Sequence, residues 1–145
     1  MSNFQQPIRV LVVDDSVDAA NGLAAVLSSA DYDARAAYDG LNALQVATSF
    51  QPHLVLLDIE MPGMDGYATA HELRQLAPQD SQVLVAYTAN SDLRSVAAAA
   101  RAGFDLHVGK PCEMWELLQL LERAVSSLQR KNTSGSLRSR RRANG

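Results

Sequence analysis

The sequence predicts a doubly wound α/β domain with five parallel strands in the order 2-1-3-4-5 and helices on both faces. Three apolar segments, Ile8 to Val13, His53 to Leu57 and Gln82 to Tyr87, lack clean alternation, as strands covered on both faces do. Weaker strand signals lie at Ala34 to Ala37 and Phe104 to Val108. Helical patterns fill the intervals, and strict βα alternation calls for right-handed crossovers. At 145 residues the chain holds one such domain and not two.

Each helix has its own signal. The first follows Ser16 as N-cap and carries Ala19, Ala20, Leu23, Val26, Leu27 and Ala30 on one stripe, opposite Asp18, Asn21 and Ser28. The second, Leu41 to Ser49, follows an Asp39-Gly40 turn signal and stops before Pro52; the third runs from Gly66 to Leu76 and stops before Pro78. The fourth starts after Ser91 as its cap, places Leu93, Val96, Ala97 and Ala100 at i, i+3, i+4 and i+7, and ends on Gly103. The fifth, Glu113 to about Gln129, aligns Met114, Leu117, Leu118, Leu121, Val125 and Leu128.

Composition narrows the class. A hydrophobic share of 47% with 20% charged residues suits a soluble globular protein. No apolar run approaches the roughly 18 residues of a membrane span, and MSNFQQ lacks the features of a secretory signal. The single cysteine, Cys112, cannot form an internal disulfide, so the cytoplasm is expected. Six of the thirteen basic residues lie beyond residue 129, which leaves seven against sixteen acidic residues before it. An acidic body of this kind is a poor nucleic-acid binder and a plausible cation host.

Ligands of such sheets bind outside the carboxyl ends of the strands, where the winding reverses between strands 1 and 3. There strand 1 ends at Asp14 and Asp15, strand 3 at Asp58 and strand 4 at Thr88, while strand 5 leads to Lys110. Three adjacent carboxylates repel and raise one another's pKa unless a cation holds them. Oxygen ligands with room for water suit Mg²⁺ or Mn²⁺. With a lysine and a hydroxyl added, the set is a phosphoryl site in which an Asp can become an aspartyl-phosphate.

VLVVDDS (10 to 16), LVLLDIEMPGMDG (54 to 66), VAYTAN (85 to 90) and GKP (109 to 111) together resemble the receiver domain of two-component response regulators. The resemblance spans residues 7 to about 129. The intervals agree: thirty residues from Asp58 to Thr88, and twenty-two from Thr88 to Lys110. It implies a flavodoxin-like (βα)5 fold and Asp58 as acceptor of a phosphoryl group from a histidine kinase or histidine phosphotransfer protein. Asp15, Asp58 and the backbone carbonyl of Glu60 would ligate the metal, with Asp14 acting through water. Lys110 would pair with the phosphoryl oxygens and Thr88 would hydrogen-bond them. His107 would occupy the aromatic switch position and report to a partner-binding face of helix 4, strand 5 and helix 5. The Lys110-Pro111 bond would be cis.

Glu60 and Asn90, each two residues after a site residue, stand where the family tunes phosphoryl lifetime, and their identities set no rate. His107 replaces the commoner Tyr or Phe. It is either a partly buried edge-strand histidine or a switch sensitive to pH, since an unperturbed His titrates near pH ~6.5. His53 and His71 read as structural or surface residues without metal spacing. Cys112 reads as an unreactive first-turn residue, and Met61 and Met64 as shaping the loop over the site. Trp115 and Leu120 lie off the core stripe of helix 5, with partner binding and plain exposure both open for Trp115.

The expected organisation is an N-terminal extension at 1–6, a receiver at 7–129 and a basic, disordered tail at 130–145, with electrostatic attachment the alternative role for the tail. The leading function is a stand-alone receiver, switching a protein partner or passing phosphate on in a relay, without turnover of an external substrate. A receiver of a hybrid sensor kinase system is a variant of it. The rival class is a Mg²⁺-dependent phosphatase of the haloacid-dehalogenase type, which would place its nucleophile on strand 1. A third class is a DNA-binding regulator acting through the tail.

Overall fold

The computed structural model describes residues 6–60, 65–77, 82–89 and 92–128. The strands are β1 (Arg9–Val13), β2 (Asp33–Ala37), β3 (Leu54–Leu57), β4 (Val83–Thr88) and β5 (Leu106–Gly109). Between them lie α1 (Val17–Ser29), α2 (Gly40–Phe50), α3 (Gly66–Leu76) and α4 (Leu93–Ala102), and residues 114 to 128 form a fifth helix, α5. All strand pairs are parallel, in the expected order β2-β1-β3-β4-β5.

The sheet divides two cores. Leu11, Val13, Val55, Leu57, Leu84 and Ala86 pack on one face with residues of α2, α3 and α4. Val10, Val12, Leu54, Leu56, Val83 and Val85 pack on the other with α1 and α5. Alternating strand residues thus serve opposite cores, which is why no apolar/polar alternation marks these strands.

Four helices start on an oxygen-bearing cap. Ser16 accepts from the N–H of Ala19, Asp39 from Asn42, Asp65 from Ala68 and Asp92 from Ser95. Asp39 therefore begins a helix where a turn is expected from Asp39-Gly40. Asp92, not Ser91, caps α4; Ser91 lies outside the described residues.

Two apolar stripes depart from the expected pattern. In α1 the buried residues are Ala20, Ala24 and Leu27, while Ala19 and Val26 face outward. In α4 only Ala99 is buried, and the expected stripe of Leu93, Val96, Ala97 and Ala100 faces outward, with Leu93 88% exposed. Small side chains let the helix approach the sheet at Ala99, whereas periodicity ranks the bulkier stripe of Leu93 and Val96 above that position. On α5, Leu117, Leu121, Ala124 and Leu128 are buried, Leu120 is half-buried and Trp115 is 60% exposed.

Phe104 belongs to a helix cap and not to β5. Gly103 adopts φ 110°, its N–H reaches Ala100 O, and the Phe104 N–H reaches Ala99 O, closing a Schellman turn. Arg74 of α3 secures the same corner by donating to the carbonyls of Gly103 and Gln82 and pairing with Asp105.

Candidate functional site

The strand ladders continue past the strand ends into the expected site. The Asp14 N–H donates to Ala37 O at 3.1 Å, the Asp58 N–H to Val13 O at 3.0 Å and the Lys110 N–H to Thr88 O at 2.8 Å. Each of these backbones is therefore held by its neighbouring strand, which limits the freedom of the side chain it carries.

Asp14 and Asp58 are oriented in the same way. In each, Oδ1 accepts the N–H two residues on, from Ser16 to Asp14 and from Glu60 to Asp58, both at 3.0 Å. Both Oδ2 atoms then lie near the Lys110 ammonium, which is 3.0 Å from Asp14 and 3.6 Å from Asp58. Asp15 completes the group: one carboxylate oxygen from each of Asp14, Asp15 and Asp58 lies within 4.8 Å of the others. Asp14 is buried, Asp58 half-buried and Asp15 exposed, so the cluster opens to solvent on one side.

Burial is the main cause that raises the Asp58 pKa above its ordinary value; the Glu60 N–H and Lys110 counter it, and Asp14 and Asp15 reinforce it. Mutual repulsion among the acids, the expected cause, thus comes after desolvation. For Lys110 burial acts downward, but the hydrogen bond to Asp14 and the charges of Asp58 and Asp14 outweigh it and raise the pKa.

Thr88 ends β4 at 1% exposure and borders a cavity of about 190 Å³ shared with Tyr67 and Ser95. His107 is half-buried in β5, paired in register with Ala86, and its Nε2 is enclosed without a hydrogen-bond partner among the described residues. The Lys110-Pro111 bond is cis, as expected. Asn90, Met61 and Met64 lie outside the described residues, as does the tail.

His53 is structural: its Nδ1 accepts the Arg9 N–H, and burial followed by the Arg9 charge lowers its pKa. His71 is exposed on α3. The Cys112 thiol lies near the Glu116 carboxylate, and burial and then that charge raise its pKa, which leaves it a poor nucleophile. One contact has no counterpart in the sequence reading: the Lys110 ammonium sits over the ring of Tyr87, 4.9 Å from its centroid. Nothing in the local sequence pairs residues 87 and 110.

The family model for the response regulator receiver domain matches residues 10–122. The chain belongs to the response regulator receiver family. The response regulator MprA of Mycobacterium sp. (strain KMS) is 34% identical over 112 residues, covering 77% of this chain and 48% of that protein. The DNA-binding response regulator MtrA of Mycobacterium leprae (strain TN) is 37% identical over 111 residues, covering 76% and 48%. The receiver thus spans about half the length of these relatives. Among solved structures, NtrX from Brucella abortus superposes with a TM-score of 0.85 at 30% identity, covering 93% of this chain and 31% of that one. A CheY-like receiver domain protein from Methanospirillum hungatei JF-1 shares the fold with a TM-score of 0.81 at 21% identity, covering 87% and 99%. No described helix of the receiver is long and apolar enough to cross a membrane.

Proposed function

We propose that this receiver accepts a phosphoryl group on Asp58 from a histidine kinase or histidine phosphotransfer protein and switches a protein partner through the face of α4, β5 and α5. The observation that carries this reading is the meeting of three carboxylates within 4.8 Å beneath a lysine 3.0 Å from Asp14 and 3.6 Å from Asp58. Such a site is built to hold added negative charge only when cations balance it.

The Glu60 N–H engages Asp58 Oδ1, so Oδ2, on the Lys110 side, is the nucleophile. As the Oδ2–P bond forms, the P–N bond to the donor imidazole breaks, and the leaving nitrogen keeps the electron pair and later takes a proton. Lys110 then offsets charge on the phosphoryl oxygens, and the Thr88 hydroxyl donates to one of them. His107 follows Thr88 on the neighbouring strand. The change stops at Asp58, so no external substrate is turned over.

The donor set fits a hard divalent cation, Mg²⁺ or Mn²⁺. Asp15, Asp58 and the Glu60 carbonyl would hold it directly. Asp14, already held by Lys110 and the Ser16 N–H, suits contact through water. When bound, the cation supplies charge neutralisation at the transferring phosphoryl group.

MtrA is named a DNA-binding regulator, but the match covers half of it. For the receiver described here a protein partner is the better fit, since residues before 130 carry seven basic against sixteen acidic side chains. Incubation with Mg²⁺ and acetyl phosphate, followed by intact mass measurement, tests the acceptor. One phosphoryl group is expected on wild type and none on Asp58→Asn. An unlabelled wild type would reject the reading.

A further inference from the structure

We infer that Tyr87 is a positioning residue of the phosphoryl site, its ring forming the wall that holds the Lys110 ammonium over the acceptor. The inference rests on the reading of Asp58 as phosphoryl acceptor. Lysine carries its charge on a flexible four-carbon stem, and the Lys110 side chain is 28% exposed, so water is an available alternative to the site. Three contacts from three strands oppose that escape. Asp14 beyond β1 accepts a hydrogen bond at 3.0 Å, Asp58 beyond β3 lies at 3.6 Å, and the Tyr87 ring on β4 lies 4.9 Å away.

The strand period explains why residue 87 is suited to this role. Leu84 and Ala86 belong to the core beneath α2, α3 and α4, whereas Val83 and Val85 belong to that beneath α1 and α5. Alternation puts Thr88 with the first set and Tyr87 with the second. Consecutive residues of β4 thus border the site from opposite sides of the sheet, the hydroxyl of Thr88 on one and the ring of Tyr87 on the other. Tyr87 is paired in register with Val108, two residues before Lys110.

The chemistry favours an aromatic side chain. Its negative π face attracts an ammonium, and desolvation strengthens that attraction. Once Asp58 carries a phosphoryl group, the ammonium must serve oxygens further from the sheet. Asp14 and the ring then keep it on the acceptor's side instead of in solvent. An aliphatic residue at 87 would fill space without that pull.

The test compares wild type, Tyr87→Phe and Tyr87→Leu in the rate of Asp58 labelling by acetyl phosphate with Mg²⁺. The Leu variant is expected to label roughly threefold to tenfold more slowly. The Phe variant keeps the ring and is expected to stay within about twofold of wild type. NMR supplies a second readout: the Lys110 ε-methylene protons should be shifted upfield by the ring in wild type and Tyr87→Phe, and return to ordinary values in Tyr87→Leu. Equal labelling of all three proteins would overturn the inference while leaving Asp58 as acceptor. An ordinary Lys110 ε-methylene shift in wild type would overturn it even if the Leu variant failed to fold. A wild type that takes no label would remove the acceptor reading and this inference together.

Discussion

The Asp58 N–H donates to the carbonyl of Val13 at 3.0 Å, extending the β1–β3 ladder one residue past Leu57. The Asp58 backbone is thereby fixed to the strand that delivers Asp14 and Asp15. Preorganisation of this kind spares the site the cost of assembling like charges at the moment of reaction.

Lys110 lowers the Asp58 pKa against the effect of burial. Removing it in Lys110→Met should move the Asp58 titration further up, which carbonyl-detected NMR can follow. Labelling by acetyl phosphate should fall on the order of tenfold to a hundredfold, the range for a lost charge-assisted hydrogen bond. An unmoved titration would show that the ammonium does not act on Asp58.

The raised pKa of Asp58 is also a statement about stability. A carboxyl whose folded-state pKa lies above its unfolded one destabilises the fold fully above the folded value, and that penalty vanishes below the unfolded value near 3.8. Asp58→Asn should therefore raise Tm at neutral pH by a few degrees, the effect of about 1 kcal/mol in a domain of this size. The gain should shrink as pH falls through the folded-state pKa. Calorimetry showing the gain growing toward acid pH would contradict the sign.

Gly66 opens α3 directly against the backbone of Asp58 and Ile59. A β-carbon there would stand 2.4 Å from Ile59 Cα and 2.9 Å from the Asp58 carbonyl oxygen. Both opposing atoms are backbone and cannot rotate away. Gly66→Ala should cost roughly 1–3 kcal/mol, as overpacking does, and should slow labelling of Asp58 by shifting its loop. Urea unfolding measures the first effect and mass spectrometry the second.

The two faces of α4 make a direct contrast. Leu93→Ser, at 88% exposure, should change stability by no more than about 0.5 kcal/mol. Ala99→Leu, at 1% exposure against the sheet, should cost roughly 1–3 kcal/mol. Reversed costs in urea unfolding would restore the stripe as core and remove it from the face proposed to bind a partner.

The sequence by itself determined the strands, their order and the meeting of Asp14, Asp15, Asp58, Thr88 and Lys110 on one rim. Apolar runs and βα alternation leave few topologies, and the motif residues sit at the strand ends. The cis Lys110-Pro111 bond was legible for a similar reason, since proline follows a recognisable motif lysine. Tertiary structure decided which way α4 faces, because the apolar side opposite Arg94 and Arg101 is broad enough to include both Leu93 and Ala99, and only docking against the sheet selects Ala99. It also decided that Asp39 and Asp92 cap helices, that Phe104 closes a helix instead of starting a strand, and that burial outweighs repulsion at Asp58. The contact of Tyr87 with Lys110 was likewise decided there, since it joins residues of different strands whose distance depends on register and rotamer, and sequence spacing encodes neither.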